Sequence, residues 1–166
     1  MRSATERIGM PTKSTETRAT TLRAATRQDL PAIEQLLVSS GLPTAGVAET
    51  LSGFIVAVSE DGGRIVGVAG LECCSGEYAL LRSTAVDPKW RGTGLGRRLV
   101  THLIAEAESR GMKALYLLTT TAERYFPSFG FVKTTRDTVP DEIKSSVEFR
   151  EACPSSATVM ALELAR

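Results

Sequence analysis

Apolar residues along this chain recur with two periods, and the elements lie where one period gives way to the other. Leu30, Ile33, Leu36 and Leu37 share one helical face, with Thr26 and Asp29 as a near capping box ahead of it and Gly41 behind. Leu95, Leu99, Leu103 and Ala107 repeat at four-residue intervals, widened by Val100 and Ile104, which predicts a longer helix over 95–110 ended by Gly111. Between these helices, residues 53–58, 65–73 and 78–86 read as strands joined by turns at Asp61-Gly62-Gly63 and Ser75-Gly76. Residues 114–119 form a nearly continuous apolar run, as expected of a strand buried on both faces. Weaker signals predict a first strand at 21–25 and helical turns at 47–51, 122–128 and 141–146. A strand beginning at Phe131 and a last one over 157–162 complete the order. The fold class is mixed α/β, with a hairpin meander at its centre and neither a repeat nor a second domain.

A chain of 166 residues is one domain, long enough to bury a core. Its 42% hydrophobic and 23% charged content are those of a soluble globular protein, and a net charge of +1 offers no pull on nucleic acid or an anionic membrane. No apolar run approaches the roughly 18 residues that span a bilayer, so the chain reads as cytoplasmic. Residues 1–19 are rich in Thr, Ser and Arg and lack the apolar core of a signal peptide. They read as a disordered leader, leaving 20–166 as the folded domain. Cys73 and Cys74 are adjacent and would point to opposite faces of a strand, and Cys153 is distant. The three read as small apolar residues, and no metal is expected.

The chemistry starts at Arg91-Gly92-Thr93-Gly94-Leu95-Gly96, between a strand and a helix. Backbone N–H groups in such a loop point one way, missing Cβ atoms let a ligand come close, and the helix dipole adds positive charge. That is a receptor for phosphate or pyrophosphate. A Walker A loop would need Lys-Ser/Thr where Arg97-Arg98 stand, and the spacing also fails G-x-G-x-x-G. What remains is R-x-x-G-x-G at Arg91, Gly94 and Gly96. With Val86-Asp87-Pro88 ahead of it, this stretch resembles the acyl-CoA loop of the GNAT superfamily of N-acetyltransferases, and the resemblance runs over about residues 21–164.

The resemblance implies a single domain with a central, mostly antiparallel sheet and flanking helices, in which strand 78–86 splays from strand 114–119 to open a cleft. It implies acetyl-CoA as co-substrate, held by Ala85, Val86, Arg91, Gly92, Thr93, Gly94, Leu95, Gly96, Arg97, Thr119 and Phe126. Amides near Ala85 and Val86 would serve as oxyanion donors. The chain also departs from the family pattern. Leu80 stands where many members carry a Glu base, Phe126 where many carry a Tyr acid, and Thr119 where an Asn is common. Tyr125, one residue early, would project elsewhere on a helix. Glu72 is then the first candidate for base or ammonium anchor, and Arg82 for a clamp on a substrate carboxylate. A cross-strand ion pair between them reads equally well. His102 falls on the polar side of its helix and reads as a surface residue.

The acceptor is expected to be the amine of a small molecule. Leu117-Leu118-Thr119-Thr120-Thr121-Ala122 with Phe126, Gly130 and Phe131 resembles the amino-acid N-acetyltransferases related to N-acetylglutamate synthase. Gly41-Leu42-Pro43-Thr44, Gly70-Leu71-Glu72, Leu81-Arg82-Ser83 and the tail around Ser146-Val147-Glu148-Phe149 and Cys153-Pro154 narrow the likeness further. They resemble the small acetyltransferases associated with arsenic-resistance operons. Direct transfer in a ternary complex to an amino acid or toxic amino-acid analogue is implied. A glutamate N-acetyltransferase of arginine biosynthesis and a non-catalytic acetyl-CoA sensor are the alternatives, and a homodimer is left open. Hydroxyls of Ser83, Thr120, Ser146 and Ser156 are candidates to touch substrate, and 133–156 is long enough to cover the acceptor cleft.

Overall fold

A computed structural model describes residues 19–73, 75–146, 148–152 and 155–164. The leader expected over 1–19 therefore lies outside the described residues but for Ala19, as do Cys74 and Cys153. Seven strands form one sheet: β1 (Thr20–Ala24), β2 (Phe54–Ser59), β3 (Ile65–Cys73), β4 (Tyr78–Val86), β5 (Ala114–Thr119), β6 (Val132–Thr134) and β7 (Thr158–Glu163), in the order β1-β2-β3-β4-β5-β7-β6. Every pairing is antiparallel except β4 with β5. The helices are α1 (Leu30–Ser39), α2 (Leu95–Ser109) and the single turn α3 (Asp141–Lys144).

Strand alternation sorts the core onto two faces. Ile55, Ala57, Leu81, Leu115 and Leu117 pack with Leu95, Leu99, Val100 and Leu103 of α2. Phe54, Val56, Val68 and Ala85 pack with Ile33, Leu36 and Leu37 of α1. Farther along the sheet, Leu80, Leu118 and Val159 pack with Val139 and Ile143. The side-chain stripe predicted for α1 and α2 is thus the stripe that is buried.

Two irregularities open the middle of the sheet. The β3–β4 register shifts between Val68 and Gly70, so that Val68 faces Ala85 while Gly70 faces Arg82. The extra residues of this bulge include Ser83, the one non-glycine among the described residues with a left-handed φ, at 60°. Parallel pairing of β4 with β5 covers only Tyr78↔Ala114, Ala79↔Leu115 and Leu80↔Tyr116. Beyond Leu80 the two strands part, as the resemblance implied.

The helix expected over 122–128 is instead a 3₁₀ turn, Phe126–Phe129. Pro127 has no N–H for a helical bond and disfavours helical backbone at the residue before it. The turn expected at 47–51 is present, with the Thr50 amide donating to Gly46 O at 3.1 Å, and it runs on into the 3₁₀ turn Leu51–Gly53. An unforeseen π-helical turn, Glu148–Ala152, follows α3.

Candidate active site

The split between β4 and β5 holds a cleft of about 260 Å³, lined along its length by Leu81–Val86 of β4 and Leu117–Thr119 of β5. A second hollow of about 330 Å³ lies over the glycine loop, lined by Trp90, Gly92, Gly94, Leu95, Gly96 and Arg97. Val86, Arg91 and Tyr125 line both, so the two form one continuous depression. Gly92 and Gly94 have φ of 81° and 84°, and a Cβ built on either meets no atom within 4 Å. The loop thus presents bare backbone to open space at the N-terminus of α2, the arrangement that receives a pyrophosphate. Arg91 Nε donates to Val86 O at 3.2 Å and Thr93 Oγ1 to Trp90 O at 2.6 Å, which holds the loop to the strand before it.

At the other end of the cleft lies a buried charge cluster. Arg82, whose side chain is fully buried, pairs through Nη1 with Glu72 Oε1 at 3.2 Å and through Nε with Glu148 Oε1 at 3.3 Å. Its Nε also donates to Ser83 Oγ at 2.9 Å and its Nη2 to Ala45 O at 2.7 Å. One guanidinium thus faces two carboxylates. Burial pushes the Glu148 carboxyl up to about 7; Arg82 pulls it down and the charge of Glu72 adds to the rise. Arg82 and Glu148 line the cleft, whereas Glu72 is not among its lining residues. Ser40 and Thr84 also line it, and Ser40 Oγ and Thr84 Oγ1 are buried without a hydrogen-bond partner among the described residues. Buried hydroxyls of this kind are normally satisfied, so each has hydrogen-bonding capacity for a water or a ligand atom in the cleft.

Residues 51–133 match the Acetyltransferase (GNAT) domain. An amino-acid acetyltransferase of Mycobacterium tuberculosis is 30% identical over 143 residues, covering 81% of this chain and 78% of that protein. The chain belongs to the GNAT acetyltransferase family. An amino-acid acetyltransferase of Ralstonia nicotianae is 36% identical over 143 residues, covering 81% of this chain but only 31% of the relative, so the chain spans about a third of that protein's length. Among solved structures, N-acetylglutamate synthase from Neisseria gonorrhoeae, complexed with coenzyme A and N-acetyl-glutamate, superposes with a TM-score of 0.76 at 22% identity, covering 89% of this chain and 36% of that one. A Mycobacterium tuberculosis protein in complex with CoA gives 0.74 at 24% identity, covering 87% and 99%. At those identities the superpositions speak for the shared GNAT fold.

Within this GNAT domain, most of the residues expected to hold acetyl-CoA lie along the depression. Ala85, Val86, Arg91, Thr119 and Phe126 line the cleft, and Gly92, Gly94, Leu95, Gly96 and Arg97 line the loop hollow. Thr93 lines neither. Thr119 Oγ1 accepts from the Ala122 amide at 2.8 Å and so shapes the turn behind the cleft. Leu80, at the family's frequent Glu position, is fully buried among Leu118, Val139 and Ile143 and has no proton chemistry to offer. Of the candidate hydroxyls, Ser83 lines the cleft; Thr120, Ser146 and Ser156 do not. His102 stands 4.0 Å from Glu106 on the exposed side of α2, consistent with a surface role.

Tyr125 corrects the sequence reading. It was expected to point away, but as the residue capping a 3₁₀ turn it lines both hollows, stacked edge-on with Phe126 and Phe129. Its hydroxyl lies 3.2 Å from where a Cβ on Gly96 would stand. Sequence reasoning also passed over Glu148. The one local signal was an acidic residue set between Val147 and Phe149, an apolar context in which a carboxylate must find a partner.

Proposed function

We propose that this chain is an acetyl-CoA-dependent N-acetyltransferase that acts on the amine of a small amino acid or a toxic amino-acid analogue. The observation that carries this reading is the continuous depression, which runs from the glycine loop past Val86, Arg91 and Tyr125 to a small chamber ending at Arg82 and Glu148. The loop cradles the pyrophosphate. The edge of β4 beyond Leu80 receives the pantetheine arm, and amides near Ala85 and Val86 stabilise the thioester oxygen as charge develops. Both substrates then meet in one cleft, which supports direct transfer in a ternary complex.

The chamber suits a zwitterion. Glu148 supplies negative charge for the ammonium, while Arg82, held by Glu72, Glu148, Ser83 and Ala45, lines the same end of the cleft and can meet a carboxylate only by sharing those contacts. Ser40 and Thr84 offer hydroxyls that await a partner. The whole cleft is about 260 Å³ and the pantetheine arm takes part of it, so the space left suits a free amino acid better than a polypeptide terminus.

Purified full-length protein would be assayed for thiol release from acetyl-CoA with glutamate, other α-amino acids, phosphinothricin, an arsenical amino acid and an unstructured peptide. Release with one of the free amino acids or analogues is expected, with intersecting initial-velocity lines. Preference for the peptide, or acetyl-CoA binding without release for any amine, overturns the reading. The second outcome would identify a non-catalytic sensor. Preference for glutamate over the analogues would point to a biosynthetic role.

A further inference from the structure

We propose that Glu148, held on Nε of Arg82 at the end of the cleft, is the catalytic base that takes the proton from the acceptor's ammonium. The proposal rests on the acetyltransferase reading and adds to it a residue from outside the strand where family members commonly place their base.

The geometry separates the two carboxylates. Glu72 holds Nη1 of Arg82 and is not among the cleft's lining residues, whereas Glu148 lines it with only 4% of its surface exposed. Glu148 enters from the π-helical turn Glu148–Ala152, a backbone form that tends to occur at functional sites. Leu80 is closed off in the apolar cluster around Ile143, so the usual position contributes nothing. Arg82 and Glu72 are the charged groups that act on Glu148. Arg82 stands between the two carboxylates, and Glu148 is the one of them that meets the cleft. An ammonium arriving there is drawn to the Glu148 carboxylate, and the proton it passes across leaves the carboxyl and the amine both neutral. The carboxyl's rise to about 7 suits that exchange with an ammonium of pKa about 8 to 10.

The accounting closes. One N–H bond of the ammonium breaks as an O–H bond forms on Glu148, and the freed nitrogen lone pair attacks the thioester carbonyl. The C–S bond then breaks, its electron pair leaving on the CoA sulfur. The nitrogen sheds a second proton, which ends on that thiolate, and Glu148 returns its own to solvent.

The test compares pH–rate profiles of wild type, Glu148→Gln, Glu148→Asp and Glu72→Gln. Wild type should gain kcat/KM for the amine as pH rises through about 7. Glu148→Gln should lose roughly 10²–10³-fold in that parameter at neutral pH and approach wild type only where the amine deprotonates unaided, with acetyl-CoA affinity unchanged. Glu148→Asp should restore the limb. Glu72→Gln should keep the limb but shift it to lower pH, because the charge of Glu72 is one cause of the raised carboxyl. Independently of any acceptor, ¹³C-carboxyl NMR should show one glutamate titrating near neutrality in wild type and none in Glu148→Gln.

A wild-type limb in Glu148→Gln, or no glutamate titrating between about pH 6 and 8, overturns the proposal alone. A wild-type chain that releases no CoA with any amine overturns the acetyltransferase reading, and this proposal with it.

Discussion

Glu148→Gln keeps the shape of the side chain and removes its charge, so it isolates what holding that carboxylate in the cleft does to stability. The carboxyl stands at about 7 in the folded chain against 4.5 when exposed. Between those values the folded state keeps a proton that the unfolded state has released. Stability therefore falls as pH rises from about 4.5 to about 7 and stays reduced above. At about 1.4 kcal/mol per unit, the loss amounts to about 3 kcal/mol. The attraction of Arg82 is already contained in that figure, since it is one of the influences that set the carboxyl's position. Glutamine mimics the protonated form. The variant should thus be more stable than wild type by about 3 kcal/mol at pH 8.5, or roughly 6–12 °C in Tm for a domain of this size. The gap should close at pH 4.5. Urea unfolding of both proteins at stepped pH measures it, and titrating groups remote from Glu148 cancel in the difference. A gap that is independent of pH, or wild type the more stable at pH 8.5, refutes the reasoning. A gain in stability together with a loss of turnover is the pattern of a group kept for function at a cost to the fold.

Arg82→Met should destabilise the fold by about 3–5 kcal/mol at pH 8, because it leaves two buried carboxylates without their cation, and by less at pH 5, where Glu148 can neutralise itself; thermal denaturation at both pH values checks this. Gly94→Val should abolish measurable acetyl-CoA binding by calorimetry while costing about 1–2 kcal/mol of stability, since φ of 84° strains any side chain and its Cβ would occupy the approach to the loop. Thr84→Val removes a buried hydroxyl that has no partner among the described residues, and should raise KM for the amine with stability unchanged or improved. Asp29 is held down to about 2, chiefly by Arg23 at 2.8 and 3.0 Å. Its contribution is present above about pH 4 and lost as pH falls through 2. Asp29→Asn should therefore cost about 1–2 kcal/mol at neutral pH, discounted for the half-exposed arginine, and nothing in acid unfolding below pH 2.

Period and punctuation alone identified α1, α2 and β2 to β5, because each depends on residues a few positions apart: a four-residue apolar repeat, a Gly-Gly turn, an unbroken apolar run. The glycine loop was legible for the same reason. Its conformation is a local property of Gly92 and Gly94, and the helix whose dipole it uses begins at the next residue. What lay beyond reach was whatever depends on distant segments meeting. Ser83 carries no sign that it bulges, since its left-handed φ follows from β3 and β4 pairing in two registers on either side of it. Tyr125 joins Phe126 at the cleft, and alone of the two reaches the loop hollow, because Pro127 turns a helix into a 3₁₀ turn and so changes where the ring before Phe126 points. Arg82 could be read as a clamp or as half of an ion pair. Only when residues 148–152 fold over the split sheet does a second carboxylate reach its Nε, and burial there, not sequence spacing, gives Glu148 its chemistry.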